Sequence, residues 1–125
     1  MSLDDSWRHR LEDAVDRFNE SGRPHTVAGL TRTLGRPRAS IGAAAGSPGE
    51  VRITVAWELT WYQWGVDTAD PSLPVCELGQ GGELTELDGS ARIWNCGVDE
   101  GGRLYLGSAP PVPPSRTERL RRALT

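Results

Sequence analysis

The sequence predicts an α+β fold. It reads as a small antiparallel sheet built around one long strand at about 50–66, packed by an N-terminal amphipathic helix and followed by a short C-terminal helix. Three observations carry this. Apolar residues recur at helical spacing over 3–18, strict alternation runs from Val51 to Trp64, and a proline cluster at 110–114 precedes a capped, arginine-bearing segment. A chain of 125 residues has material for one hydrophobic core. Residues 1–109 therefore read as a single α+β domain, and 110–125 as a Pro-rich spacer with an Arg-rich helix.

The first helix is the clearest element. Ser2 and Asp5 have capping-box spacing. Leu3, Trp7, Leu11, Ala14, Val15 and Phe18 form one apolar stripe, and Gly22 and Pro24 supply a stop. A stripe with a Trp and a Phe needs a surface to cover.

Residues 25–48 allow two readings. Val27, Leu30 and Leu34 have helical spacing between a Thr26 cap and a Gly35 stop, which gives a short helix followed by an irregular arm. The rival is a β-ribbon, Thr26–Leu34 and Arg38–Ala44, turning at Gly35-Arg36-Pro37. The segment 26–45 also has a degenerate helix-turn-helix pattern, with Thr31 at the packing position and Pro37 in the turn.

Over 50–66, Val51, Ile53, Val55, Trp57, Leu59 and Trp61 alternate with Arg52, Thr54, Ala56, Glu58, Thr60, Tyr62 and Trp64. Read as one strand, this puts the first set in the core under the N-terminal helix and the second set outward. Glu58, Thr60, Tyr62 and Trp64 are then a candidate binding surface, because two aromatic rings on a wet face need cover.

Residues 67–74 (DTADPSLP) read as a loop, Val75–Leu78 as a short strand and Gly79-Gln80-Gly81-Gly82 as a turn. The last resembles a dinucleotide loop only in its first three letters, since Leu84 stands where the third glycine belongs. Asp88-Gly89-Ser90 can cap a short helix over Ala91–Asn95, with a strand over Ala91–Cys96 as the alternative. Asp99–Gly102 reads as a hairpin turn before a strand at Arg103–Leu106. Prolines 110, 111, 113 and 114 impose an extended spacer, and Ser115 with Glu118 starts the final helix.

Charge is segregated beneath the net value of −3. Residues 26–52 sum to +3, 53–114 to −7 and 115–125 to +3, and all 14 cations are arginines. An acidic centre between basic pieces disfavours a nucleic-acid partner. No run of about 18 apolar residues exists, so no membrane span is expected. The first ten residues lack a signal layout, which leads to an expected cytoplasmic location with Cys76 and Cys96 free. Their spacing makes no zinc motif, and no cofactor is expected. His9 and His25 stand outside any catalytic frame, so enzymatic function finds little support.

Three functions follow in order of preference. The first is a non-enzymatic module that binds a protein partner or itself as a homodimer. The second is a nucleic-acid-associated regulator using 26–45. The third is a small-molecule binder or enzyme with its pocket on the strand's outer face. Arg32, Arg36, Arg38, Arg116, Arg119 and Arg122 are the candidate basic contacts, with Arg52 a further one for the second reading.

Overall fold

A computed structural model describes residues 3–44 and 49–106. The segment expected to form a Pro-rich spacer and a C-terminal helix, with Arg116, Arg119 and Arg122, lies outside the described residues. So do Ser2 of the expected cap and the side chains of Asp5 and Trp7.

Helix α1 spans Leu3–Glu20 and buries Ala14, Val15 and Phe18, with Leu11 packed partly against the core. Ser21 couples its end to the next helix. The Ser21 hydroxyl donates to the Phe18 carbonyl at 2.6 Å and accepts from the Arg23 N–H at 3.2 Å. Helix α2, Arg23–Leu34, starts with Pro24 in its first turn, where a missing N–H costs nothing. It ends at Gly35, whose φ of +92° is open to glycine.

Six antiparallel strands follow: β1 Arg38–Ala43, β2 Glu50–Ala56, β3 Trp61–Asp67, β4 Cys76–Gly81, β5 Cys96–Val98 and β6 Leu104–Leu106. Their order across the sheet is β4-β3-β2-β1-β5-β6. The molecule is thus α+β with a small antiparallel sheet. Residues 25–48 begin as a helix and continue as a central strand, so no second helix follows Gly35 and the helix-turn-helix pattern is not realised. The glycines at 79 and 81 are strand residues, not a turn. No helix among the described residues is long and apolar enough to cross a membrane.

The long strand over 50–66 is corrected to a hairpin. The chain reverses at Glu58-Leu59, and the Trp57 N–H donates to the Thr60 carbonyl at 2.7 Å. The register pairs Val51 with Val66, Ile53 with Trp64 and Val55 with Tyr62. Each pair joins an odd-numbered residue of β2 to an even-numbered one of β3, so the buried parity changes at the turn. Trp64 is therefore a core residue at 1% exposure, its ring edge-on to Phe18 at 5.2 Å. Trp61, expected inside, lies on the opposite face.

Helix-face residues of the sheet, Ala39, Ile41, Val51, Ile53, Val55, Trp64, Val66 and Cys96, join Phe18, Val27 and Leu104 in one core. The Trp57 indole donates to the Gly35 carbonyl at 3.0 Å, fixing the end of α2 to the hairpin. Arg17 donates to the carbonyls of Asp67, Asp70 and Leu73, and Arg23 donates to that of Val75. These four bonds hold the β3–β4 loop against the helix corner.

Two asparagines act as peptide surrogates. Asn95 accepts from the Ile41 N–H at 2.8 Å and donates to the Ile41 carbonyl at 3.0 Å. Asn19 makes the same double bond with Leu104, at 2.8 Å and 3.0 Å, and so occupies part of the free edge of β6. Asn95→Ala leaves both Ile41 groups without these bonds. It should cost about 1–3 kcal/mol, read as a lower urea midpoint with an unchanged slope.

Cys76 on β4 and Cys96 on β5 are both free. Four inter-strand steps separate their strands, about 19 Å at ~4.8 Å per step, well beyond the ~7 Å limit for a disulfide. Burial pushes the Cys96 thiol up to about 12, and the thiol donates to the Tyr105 carbonyl at 3.2 Å. Iodoacetamide at about pH 8.5, the ordinary thiol pKa, should label Cys76 alone in the folded protein and both cysteines in urea, as counted by mass spectrometry.

Candidate binding surface

The four residues expected to form an outward surface are scattered by the hairpin. Glu58 is exposed at the tip. The Thr60 hydroxyl donates to the Gly81 carbonyl at 3.1 Å, tying the tip to β4. Tyr62 is half-buried and stacked on Trp64, with centroids 5.6 Å apart. Trp64 is in the core, and its indole N–H has no acceptor among the described residues. The two aromatic side chains serve packing.

The sheet face turned away from the helices has its own order. Arg38, Ala56, Trp61 and Gly81 are successive cross-strand partners along one row. The Trp61 ring lies across β4, and a Cβ at Gly81 would come within 2.5 Å of it. The Trp61 indole donates to the Glu83 carbonyl at 2.9 Å and to Glu86 Oε1 at 3.2 Å. Glu86 Oε1 also accepts the N–H groups of Gly82 and Glu83, both at 3.1 Å. The bonds from Glu83 and Trp61 hold the Glu86 carboxyl below its ordinary value. Tyr105 lies over Gly97 in the same way near the other edge, where a Cβ would come within 2.0 Å of its ring. The Trp61 ring over β4 accounts for Gly79 and Gly81 without any phosphate.

The segment after Trp61's seat crosses this face. Arg52 grips Asp88 with both guanidinium nitrogens, at 3.2 and 3.3 Å. Asp88 Oδ1 in turn accepts the Ala91 N–H at 2.9 Å, which starts a 3-10 turn at Gly89–Arg92. Leu87 and Ala91 are buried beneath the segment, along with Ser40 and Thr54 of the sheet. Trp94 then takes a φ of +53°, a left-handed conformation that costs a non-glycine residue about 1–2 kcal/mol. The double bond of Asn95 to Ile41 holds the chain there.

The result is an open cleft of about 450 Å³ lined by Arg38, Leu84, Gly89, Arg92 and Trp94. The Arg38 guanidinium stands 5.8 Å from the centroid of the Trp94 ring. Among the described residues no carboxylate pairs with Arg38 or Arg92, whereas Arg17 pairs with Asp13 and Arg52 with Asp88. Arg32 and Arg36 are also exposed, in the last turn of α2 and in the link to β1. Of the basic candidates among the described residues, Arg38 alone lines this cleft. Trp94 and Arg92 were missed, because their convergence on Arg38 depends on a positive φ that no local pattern announces. A second cleft, between the α1–α2 corner and the β3–β4 loop, contains Arg17 and Arg23. Both already serve backbone carbonyls there.

The chain matches no protein-family model, no curated protein and no solved structure. Function must therefore be argued from this geometry.

Gly81→Ala should drive Trp61 off β4 and free its indole N–H from Glu86, seen as loss of the shifted Trp61 indole resonance. Acidification should do the same reversibly. The folded pKa of Glu86 is depressed, so its bonds contribute fully above the unfolded carboxyl value and are lost as pH falls through the folded one. The Trp61 resonance should hold at pH 5 and move below about pH 4, the range of ordinary carboxyl groups. Glu86→Gln should remove most of that titration.

Proposed function

We propose that this protein is a non-enzymatic binding module whose partner is another protein, seated by an acidic stretch on the Arg38–Trp94–Arg92 corner. The observation that carries the reading is the pair of guanidinium groups, without carboxylate partners among the described residues, flanking a half-exposed tryptophan at an open cleft. Tryptophan and arginine are the residues that dominate the centres of protein interfaces. Ile93 beside them is 62% exposed and extends the apolar contact.

The lining favours binding over chemistry. Arginine, leucine, glycine and tryptophan offer charge, shape and a π-face, but no nucleophile and no group that moves a proton near neutral pH. His9 and His25 are exposed on the helices, away from this face. Among the described residues no three His, Cys, Asp or Glu side chains gather as metal ligands.

A peptide of alternating glutamate and phenylalanine tests the reading, with a lysine–phenylalanine peptide as control. The acidic peptide should shift the Trp94 indole resonance, and its affinity should fall as salt rises. Arg38→Ala with Arg92→Ala should weaken it at least tenfold, about 1.4 kcal/mol. Equal shifts from both peptides, or none at Trp94, would overturn the proposal.

A further inference from the structure

The row Arg38–Ala56–Trp61–Gly81 crosses four adjacent strands, about 14 Å at ~4.8 Å per step. Its two ends differ in charge. At the β1 end stand Arg38, Arg92 and Trp94. At the β4 end stand Trp61, Glu83 and Glu86, with the Glu58-Leu59 tip tied alongside through Thr60 and Gly81. Leu84 sits between the poles: it lines the Arg38–Trp94 cleft and directly follows Glu83. Glu58 and Glu83 are exposed, and Leu59 is 75% exposed.

We infer that the acidic partner of the Arg38–Trp94–Arg92 corner is the Glu58–Glu83 end of a second copy of this chain, in a two-fold symmetric dimer about Leu84. The inference rests on the binding reading above and names its partner. A half-turn exchanges the two poles, so a surface that is basic at one end, apolar in the middle and acidic at the other is complementary to itself. Each copy then supplies one basic and one acidic contact, and two Trp-bearing ends flank the axis. A one-sign corner alone would select any acidic protein. The acidic groups at the other end of the same strand row select this chain.

The test is sedimentation equilibrium of the full chain, with paired charge reversals. The wild type should dimerise, and raising salt from ~0.1 M to ~1 M, which shortens the Debye length from about 10 Å to about 3 Å, should weaken the dimer at least tenfold. Arg38→Glu with Arg92→Glu makes both poles acidic, and Glu58→Arg with Glu83→Arg makes both basic. Each variant alone should be monomeric where the wild type is a dimer, and their equimolar mixture should recover a dimer. Circular dichroism checks that each is folded, and Arg38→Gln/Arg92→Gln and Glu58→Gln/Glu83→Gln give milder versions of the same comparison. A wild type that stays monomeric to about millimolar concentration, where binding is worth only ~4 kcal/mol, overturns the inference. So does a dimer indifferent to the reversals, or a mixture that stays monomeric. If the wild type is monomeric yet binds the glutamate–phenylalanine peptide at Trp94, the partner assignment fails and the binding reading stands; if it does neither, both fail.

Discussion

The pairing of Ile53 with Trp64 across the β2–β3 hairpin decides which residues of this chain meet water. It brings Trp64 under α1 against Phe18 and places Val51, Val55, Tyr62 and Val66 on the same face. A slip of β3 by one residue would turn Tyr62, Trp64 and Val66 over together. It would expose a tryptophan that makes an edge-on aromatic contact worth about 0.5–1.5 kcal/mol beyond its burial. It would also bury Gln63, which instead donates to Thr54 at 3.1 Å on the opposite face. The hairpin tip itself, Glu58-Leu59, contains no glycine, asparagine or proline, so core burial rather than turn chemistry fixes the register.

From that register the second face follows. Trp61 must point away from the helices, and its ring needs a flat seat. The glycines of β4 give it one, and Glu86 with the Glu83 carbonyl satisfies its N–H. Those bonds fix the start of the segment that crosses the sheet, and Arg52–Asp88 fixes its middle. Asn95 fixes its end by imitating a strand peptide at Ile41. The cleft around Trp94 is thus a consequence of three anchors on one connecting segment, each side chain matched to a backbone group or an opposite charge. Leu87 and Ala91 supply the burial that keeps the segment on the sheet.

The sequence makes some of this legible. The helical stripe of Ala14, Val15 and Phe18, the cap at Asp88 and the turn at Asp99–Gly102 are local patterns, and the structure contains each of them. The fold class follows from such patterns. The hairpin at Glu58-Leu59 is not local: alternation continues through the turn without a break, and only the pairing shows that its parity reverses. That single hidden turn sent Tyr62 and Trp64 to the wrong face and Trp61 into the core. The same limit applies at the site. Arg38 is visible as an exposed cation in a basic stretch, but Arg92 and Trp94 lie more than fifty residues away. They reach it through a β1–β5 neighbourhood that skips three strands in the chain order.

The exclusive use of arginine also acquires physical content. Arg17 reaches three carbonyls, and Arg52 binds both oxygens of Asp88, geometries that need a planar fork of donors. A lysine ammonium could satisfy neither in full. Arg38 uses the other property of the guanidinium group, a flat and weakly hydrated cation that lies against an indole ring. Two classes of arginine therefore separate. Those whose donors are consumed by the fold hold the β3–β4 loop and the crossing segment. Those left exposed among the described residues, Arg8, Arg10, Arg32, Arg36, Arg38, Arg92 and Arg103, include the pair beside Trp94. Arg17, Arg23 and Arg52 are spent on carbonyls and a carboxylate of the fold, and Arg38 with Arg92 is left at one end of a strand row whose other end carries Glu83 and Glu86.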